Sequence, residues 1–262
     1  MRLAQRHLEA HSLDPLGLLV KVMPVMTTLQ DNLRSVQSRI AAACAACGRN
    51  PAEVTLLAVS KTFGADAVQE VAACGQQDFG ENYIQEGVDK ITFLQSSANP
   101  ETPLIWHCIG PIQSNKTKYV TEFFSWAHTV DRLKIAQRLN DQRPDHLPPL
   151  NICLQVNIDG AATKSGVAPE EVLELAKLVT QLPRLALRGL MTIPDPLKGF
   201  EAQVALHTKA RALFNDVRDE LNLPHFDTLS MGMTSDLEAA IHAGSTMVRV
   251  GTAIFGERQY PV

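Results

Sequence analysis

From Val54 onward the chain alternates between short apolar runs and amphipathic stretches, and this alternation restricts the possible folds more than any other feature of the sequence. The runs Val54–Ser60, Asp78–Asn82, Leu104–Ile109, Trp126–Val130, Asn151–Asn157, Ala186–Thr192, Thr228–Met231 and Thr246–Val250 predict eight strands. Helical periodicity falls between them, near 65–75, 84–94, 114–123, 132–141, 169–181, 201–221 and 235–243. A further helix is predicted in front, where Leu29, Leu33, Val36, Ile40 and Ala43 recur at helical spacing before the stop at Gly48. Strict β/α alternation implies parallel strands joined by crossovers. Runs such as Val54 to Val59 are apolar throughout, as strands covered on both faces should be. The predicted fold is α/β, a single (β/α)8 TIM barrel over residues 26–262 with an extra N-terminal helix. The competing fold is an open doubly wound sheet. Against it, no GxGxxG or GxxxxGK[ST] loop follows the first strand.

The length of 262 residues suits one barrel, a fold that typically takes about 250. Residues 1–25 read as an extension outside the core, with Met26 opening the domain. The apolar stretch Leu16–Met26 is broken by Lys21 and Pro24, which makes it a poor membrane span and a poor secretory signal. Basic residues number 24 against 28 acidic, so the net charge of −4 argues against a nucleic-acid or membrane partner and for a small molecule. The five cysteines are odd in number and widely spaced, which points to a reducing cytoplasm rather than a disulfide framework. Cys44 and Cys47 have redox spacing but sit in an alanine-rich helical stretch, where they read as small helix residues. With no second CxxC and no HExxH, no metal site is expected.

In such a barrel the active face is formed by the loops after the strands. The first strand ends in Ser60-Lys61-Thr62, the second in Glu81-Asn82-Tyr83, the third in His107-Cys108-Ile109-Gly110, and the last two in Ser230-Met231-Gly232 and Arg249-Val250-Gly251-Thr252. At a partly desolvated barrel mouth near a cation, the Lys61 amine would favour its neutral form, the form that attacks a carbonyl. Equally, Lys61 could simply snorkel at the rim. The small residues after strands seven and eight leave backbone N–H groups free for a phosphate, the common barrel phosphate position. They also read as ordinary tight turns and caps, and Ser235 with Glu238 has capping-box spacing. A lysine and a phosphate cradle on one face together suggest an aldehyde-phosphate cofactor.

Several motifs together resemble the successive signatures of the pyridoxal phosphate homeostasis protein family. They are Ala58-Val59-Ser60-Lys61-Thr62, Phe79-Gly80-Glu81-Asn82-Tyr83, the run from Trp106 to Lys116, Gly189-Leu190-Met191-Thr192-Ile193-Pro194, Leu229-Ser230-Met231-Gly232-Met233, and the run from Gly244 to Gly256. The match covers about Met26 to the C-terminus and departs from the pattern at Cys108, where a bulkier aromatic is usual. The resemblance implies a barrel like the N-terminal domain of alanine racemase (fold type III), with pyridoxal 5′-phosphate (PLP) as a Schiff base on Lys61. It implies Arg249 beside the pyridine nitrogen, Ser230, Gly251 and Thr252 around the phosphate, and Asn82 near the ring. Lys164 matches a family lysine near the cofactor, with a flexible-loop residue as the equal alternative. His107 and Lys116 match family positions too, where packing and a helix start are the competing roles, and Tyr83 could touch the phosphate or pack.

Guanidinium only donates, so Arg249 should keep the ring nitrogen unprotonated and the cofactor a weak electron sink. The resemblance implies a non-catalytic function, which this chemistry suits: a cytoplasmic carrier that buffers PLP and delivers it to apo PLP-dependent enzymes, a monomer or weak dimer with no catalytic residue. The alternative is a racemase-like PLP enzyme, which needs a second acid/base group. The chain ends eleven residues after Gly251 and its tyrosines are Tyr83, Tyr119 and Tyr260, so no domain is expected to bring one. A third reading is a class I aldolase-like barrel using the same lysine.

Overall fold

Each apolar run of the sequence is a strand of one closed barrel. The computed structural model describes residues 11–13, 19–21, 28–97, 103–161 and 164–257. Strands β1 (Thr55–Val59), β2 (Asp78–Glu81), β3 (Ile105–Cys108), β4 (Trp126–Val130), β5 (Leu150–Val156), β6 (Leu185–Thr192), β7 (Thr228–Ser230) and β8 (Met247–Val250) pair in parallel in chain order. The barrel closes where β8 pairs with both β1 and β7, setting Arg249 opposite Leu57 and Met247 opposite Ser230. The helices are α1 (Leu29–Ala46), α2 (Ala65–Ala73), α3 (Ile84–Ser97), α4 (Thr117–Phe123), α5 (Leu133–Gln142), α6 (Val172–Val179), α7 (Phe200–Leu221), α8 (Leu237–His242) and α9 (Thr252–Phe255). Strand boundaries lie within one or two residues of the expected ones. The expected domain start at Met26 lies outside the described residues. Ahead of it, His11–Leu13 and Leu19–Lys21 pair antiparallel as a separate two-stranded ribbon, where the sequence predicts no strand.

Side chains alternate across a strand, and the alternation divides the core in two. Leu56, Ala58, Trp106, Cys108, Leu190, Leu229, Val248 and Val250 belong to the large apolar layer under the helices. Their neighbours point the other way. Leu57, Val59, Ile109 and Met247 form a small cluster inside the barrel, and Trp126, Cys153 and Met191 form another. The remaining inward positions include the buried polar residues His107, His128, Ser230 and Arg249.

The extra helix α1 begins with a capping box, in which Thr28 Oγ1 accepts from the Asp31 N–H and the Asp31 carboxylate accepts from Thr28 N–H. It buries Leu33, Val36 and Ile40 against the barrel, each contributing about 1.5–3 kcal/mol by burial. Its polar face reaches the loops after β7 and β8. Arg39 donates to the Thr234 carbonyl at 2.9 Å and makes a forked pair with Glu238, while Asn32 donates to the Ile254 carbonyl at 2.9 Å. The helix in front of the barrel thus braces the turns on which the candidate site is built.

Candidate functional site

A cavity of about 420 Å³ opens at the C-terminal end of the strands, lined among others by Lys61, Asn82, Arg249, Gly251 and Thr252. Five of the six cofactor-binding residues expected from sequence therefore converge on one space. Val59, Phe63, Ile109 and Ile193 supply its apolar wall, and Met233, Thr234 and Ser235 complete it. A lysine and an arginine from the ends of adjacent strands β1 and β8 meet here because the barrel closes between them.

The Lys61 turn is held from behind. Thr62 adopts φ 70°, a left-handed conformation rare for a β-branched residue, and its N–H donates to Glu86 Oε1 at 2.5 Å. Lys90 on α3 donates to Glu86 Oε1 at 2.7 Å, to Glu81 Oε1 at 2.8 Å and to the Ser60 carbonyl at 2.8 Å. Ser60 Oγ donates to the same Glu81 oxygen at 2.6 Å. Glu81 is fully buried with its Oε2 unpartnered, and burial pushes its pKa up against the pull of Lys90. The polar cluster behind β1 and β2 thereby fixes both neighbours of Lys61.

Arg249 is held from below. Its Nη1 donates to Ser230 Oγ at 2.8 Å and its Nη2 to the Thr192 carbonyl at 2.8 Å. Burial draws its pKa down to about 10 against the charge of Asp236, which leaves it positive at neutral pH. Ser230 does not line the cavity; it is fully buried beneath Arg249 and also bonds His128 Nδ1 at 3.1 Å. His128 Nε2 meets His107 Nδ1 at 2.9 Å, and His107 Nε2 meets Asp78 Oδ1 at 2.9 Å. Burial lowers the pKa of both imidazoles, that of His128 furthest because His107 and Arg249 add their repulsion. His107 also stacks on Trp126, its centroid 5.2 Å away.

The loop after β7 departs from the expected capping box. Helix α8 begins at Leu237 with Asp236 in the cap position, and Glu238 turns away to pair with Arg39. That leaves Ser235 on the cavity wall. Asp236 carries the loop instead, accepting from the Met233 N–H at 2.7 Å and pairing with His207 Nε2 at 2.9 Å. The approach at β8 is close: a Cβ on Gly251 would stand 3.1 Å from the Val59 carbonyl oxygen.

The other candidates lie outside the cavity wall. Lys164 is tied to Asp159 at 3.0 Å, Asp195 at 2.8 Å and the Ile193 carbonyl at 3.0 Å, so it reaches the cavity only through Ile193. Lys116 caps α4 and lies 5.1 Å over the Tyr119 ring, and Tyr83 is largely exposed. Sequence reasoning missed Asp78, His128, Glu81, Glu86 and Lys90. For Asp78, Glu81 and His128 the visible signal was a charge or an imidazole in an otherwise apolar strand, as at His128 in Trp126–Val130, whereas Glu86 and Lys90 lie on α3 and carry no such signal.

The sequence profile of the alanine racemase N-terminal domain matches residues 28–259. The chain is 53% identical to the pyridoxal phosphate homeostasis protein of Escherichia coli K12 over 235 residues, 90% of this chain and 99% of that one. It is 56% identical to that of Pseudomonas aeruginosa, over 90% of this chain and 98% of that one. Its structure is similar to PipY of Synechococcus elongatus PCC7942 with PLP bound, at TM-score 0.74 and 33% identity, covering 87% of this chain and all of that one. A Clostridium difficile alanine racemase shares the barrel fold at TM-score 0.65 and 17% identity, covering 88% of this chain and 58% of that one.

Proposed function

This chain belongs to the pyridoxal phosphate homeostasis protein family, and from that membership we propose that it holds PLP as a Schiff base on Lys61 and buffers or delivers the cofactor in the cytoplasm. The observation that carries this reading is the convergence of Lys61, Arg249, Gly251 and Thr252 on one cavity from the ends of β1 and β8. The residues fit the group. A primary amine faces the same space as a buried guanidinium, and Gly251 lets its backbone come close where a Cβ would crowd Val59. The Thr234, Ser235 and Thr252 side chains and the adjoining backbone N–H groups offer donors of the kind a phosphate needs. PLP supplies an aldehyde that condenses with an amine, releasing water, and a ring that withdraws electrons.

Arg249 favours a carrier over an enzyme. Its guanidinium has donors only, so a ring nitrogen facing it stays unprotonated and the ring withdraws electrons weakly. Among the described residues lining the cavity, Lys61 and Arg249 are the ionisable side chains, and neither a carboxylate nor an imidazole stands with them. A racemase works with a positioned acid/base group on each face of its substrate, each contributing about 10²–10⁴-fold. On this reading the chain holds PLP, passes it to apo PLP-dependent enzymes by exchange with another amine, and turns over amino acids negligibly.

An absorption spectrum, borohydride reduction and peptide mapping test the site, and the pyridoxyl group is expected on Lys61. An adduct mainly on Lys116 or Lys164 would overturn the assignment. Incubation with an apo-transaminase tests delivery, and chiral chromatography of amino acids tests catalysis. Racemisation at ordinary enzyme rates, lost in Lys61→Ala, would replace the carrier reading with the enzyme.

A further inference from the structure

Four consecutive hydrogen bonds cross the barrel interior, from Arg249 through Ser230, His128 and His107 to Asp78. The three inner members are fully buried, and Asp78, at the opposite end of the strands from the cavity, is partly exposed. The two ends differ in kind. Guanidinium can only donate and an ionised carboxylate can only accept, while a hydroxyl and a neutral imidazole each carry one proton. Four bonds therefore need four protons, and Arg249, Ser230, His128 and His107 supply one each. All bonds are made in just one arrangement. Arg249 donates to Ser230, Ser230 O–H to His128 Nδ1, His128 Nε2–H to His107 Nδ1, and His107 Nε2–H to Asp78. The reverse order would set a bare His107 nitrogen against the carboxylate and leave the Ser230 proton without an acceptor among the described residues, and an unmade buried bond is costly.

We propose that Asp78, His107, His128 and Ser230 are positioning residues for Arg249: a one-way proton order, anchored by the Asp78 carboxylate, holds the guanidinium at the cavity through Ser230. This rests on the reading that Arg249 meets the cofactor ring. Ser230 then serves the cofactor through Arg249 rather than by touching the phosphate. The chain also makes Asp78, which does not line the cavity, a determinant of PLP affinity.

The test combines histidine side-chain nitrogen NMR on the full-length protein with PLP titration. In the unsubstituted protein at neutral pH, both His107 and His128 should be neutral with the proton on Nε2. Asp78→Leu should abolish that single tautomer at His107 and weaken PLP binding about tenfold, the scale of a hydrogen bond to a charged group. Borohydride should still fix the cofactor on Lys61. Asp78→Asn keeps an acceptor oxygen, so it should keep the tautomers and lose less affinity than Asp78→Leu. Should Asp78→Leu not fold, Ser230→Ala breaks the upper link and should weaken binding on the same scale. An Nδ1-protonated or cationic imidazole at either histidine in the unsubstituted protein would overturn the proposal. So would a folded Asp78→Leu or Ser230→Ala protein that binds PLP as tightly as the unsubstituted one. If the unsubstituted protein bound no PLP, the cofactor reading would fall and the affinity role with it, while the tautomers would still decide the proton order.

Discussion

Glu86 accepts the backbone N–H of Thr62 at 2.5 Å, tying α3 to the residue that follows Lys61. Thr62 stands at φ 70°, and an isolated strained residue of this kind costs on the order of 1–3 kcal/mol unless its surroundings hold it. The orientation of Lys61 therefore depends on a carboxylate of α3, 24 residues beyond Thr62 in sequence, rather than on its own strand alone.

Glu86→Ala should release this turn. The fraction of PLP fixed on Lys61 by borohydride at sub-saturating cofactor should fall, and the protein should lose about 1.5–3 kcal/mol, the range for a hydrogen bond to a charged group. Glycine adopts positive φ without a Cβ penalty, so Thr62→Gly should recover part of both losses in the Glu86→Ala background. Equal losses with and without Thr62→Gly would show that backbone strain at Thr62 is not what Glu86 restrains.

Lys90 is the cation that compensates the fully buried Glu81. Lys90→Met should cost about 3–5 kcal/mol in denaturant unfolding, because it strands a buried carboxylate. Glu81→Leu in the same chain removes that charge and should recover much of the loss. A double variant no more stable than Lys90→Met would mean that the lost contacts to Ser60 and Glu86 dominate instead.

Acid should act on stability through the two buried imidazoles of the barrel interior. The folded-state pKa values of His107 and His128 are lowered by burial, whereas in the unfolded chain a histidine titrates near about 6.5. Below that value the unfolded chain takes up protons that the folded interior refuses, so stability falls as pH drops toward the folded pKa values. Each histidine contributes up to about 1.4 kcal/mol per pH unit in that window, and nothing above it. The groups facing them are Asp78 on one side and Arg249 on the other. A melting curve series from neutral to pH 5 should show this loss, and His128→Gln should flatten it. An unchanged slope in His128→Gln would assign the acid sensitivity elsewhere.

Gly110 lies where a Cβ would run into the Asn82 carbonyl. Gly110→Ala should push back the end of β2, lower the melting temperature and weaken PLP binding together, since Asn82 lines the cavity. Normal affinity in a destabilised Gly110→Ala protein would show that the cavity tolerates the shift.

The fold and half of the site were legible in the chain itself. Continuous apolar runs such as Val54 to Val59 and the helical periods between them report local geometry, which is why eight strands and their order could be read directly. Lys61, Asn82, Arg249 and Gly251 were legible because a strand-end position in a barrel is also a cavity position. The support beneath them was not. Asp78, His107, His128, Ser230 and Arg249 come from five strands, with sequence separations from 19 to 102 residues along their links, and no local period brings them together. Ser235 and Glu238 had the spacing of a cap, yet Arg39, 199 residues from Glu238, claims that carboxylate. Sequence determined which side chains face inward, because alternation along a strand is local. Barrel closure decided which inward groups touch, because it alone sets Arg249 over Ser230 and both over a pair of histidines that can share one proton order.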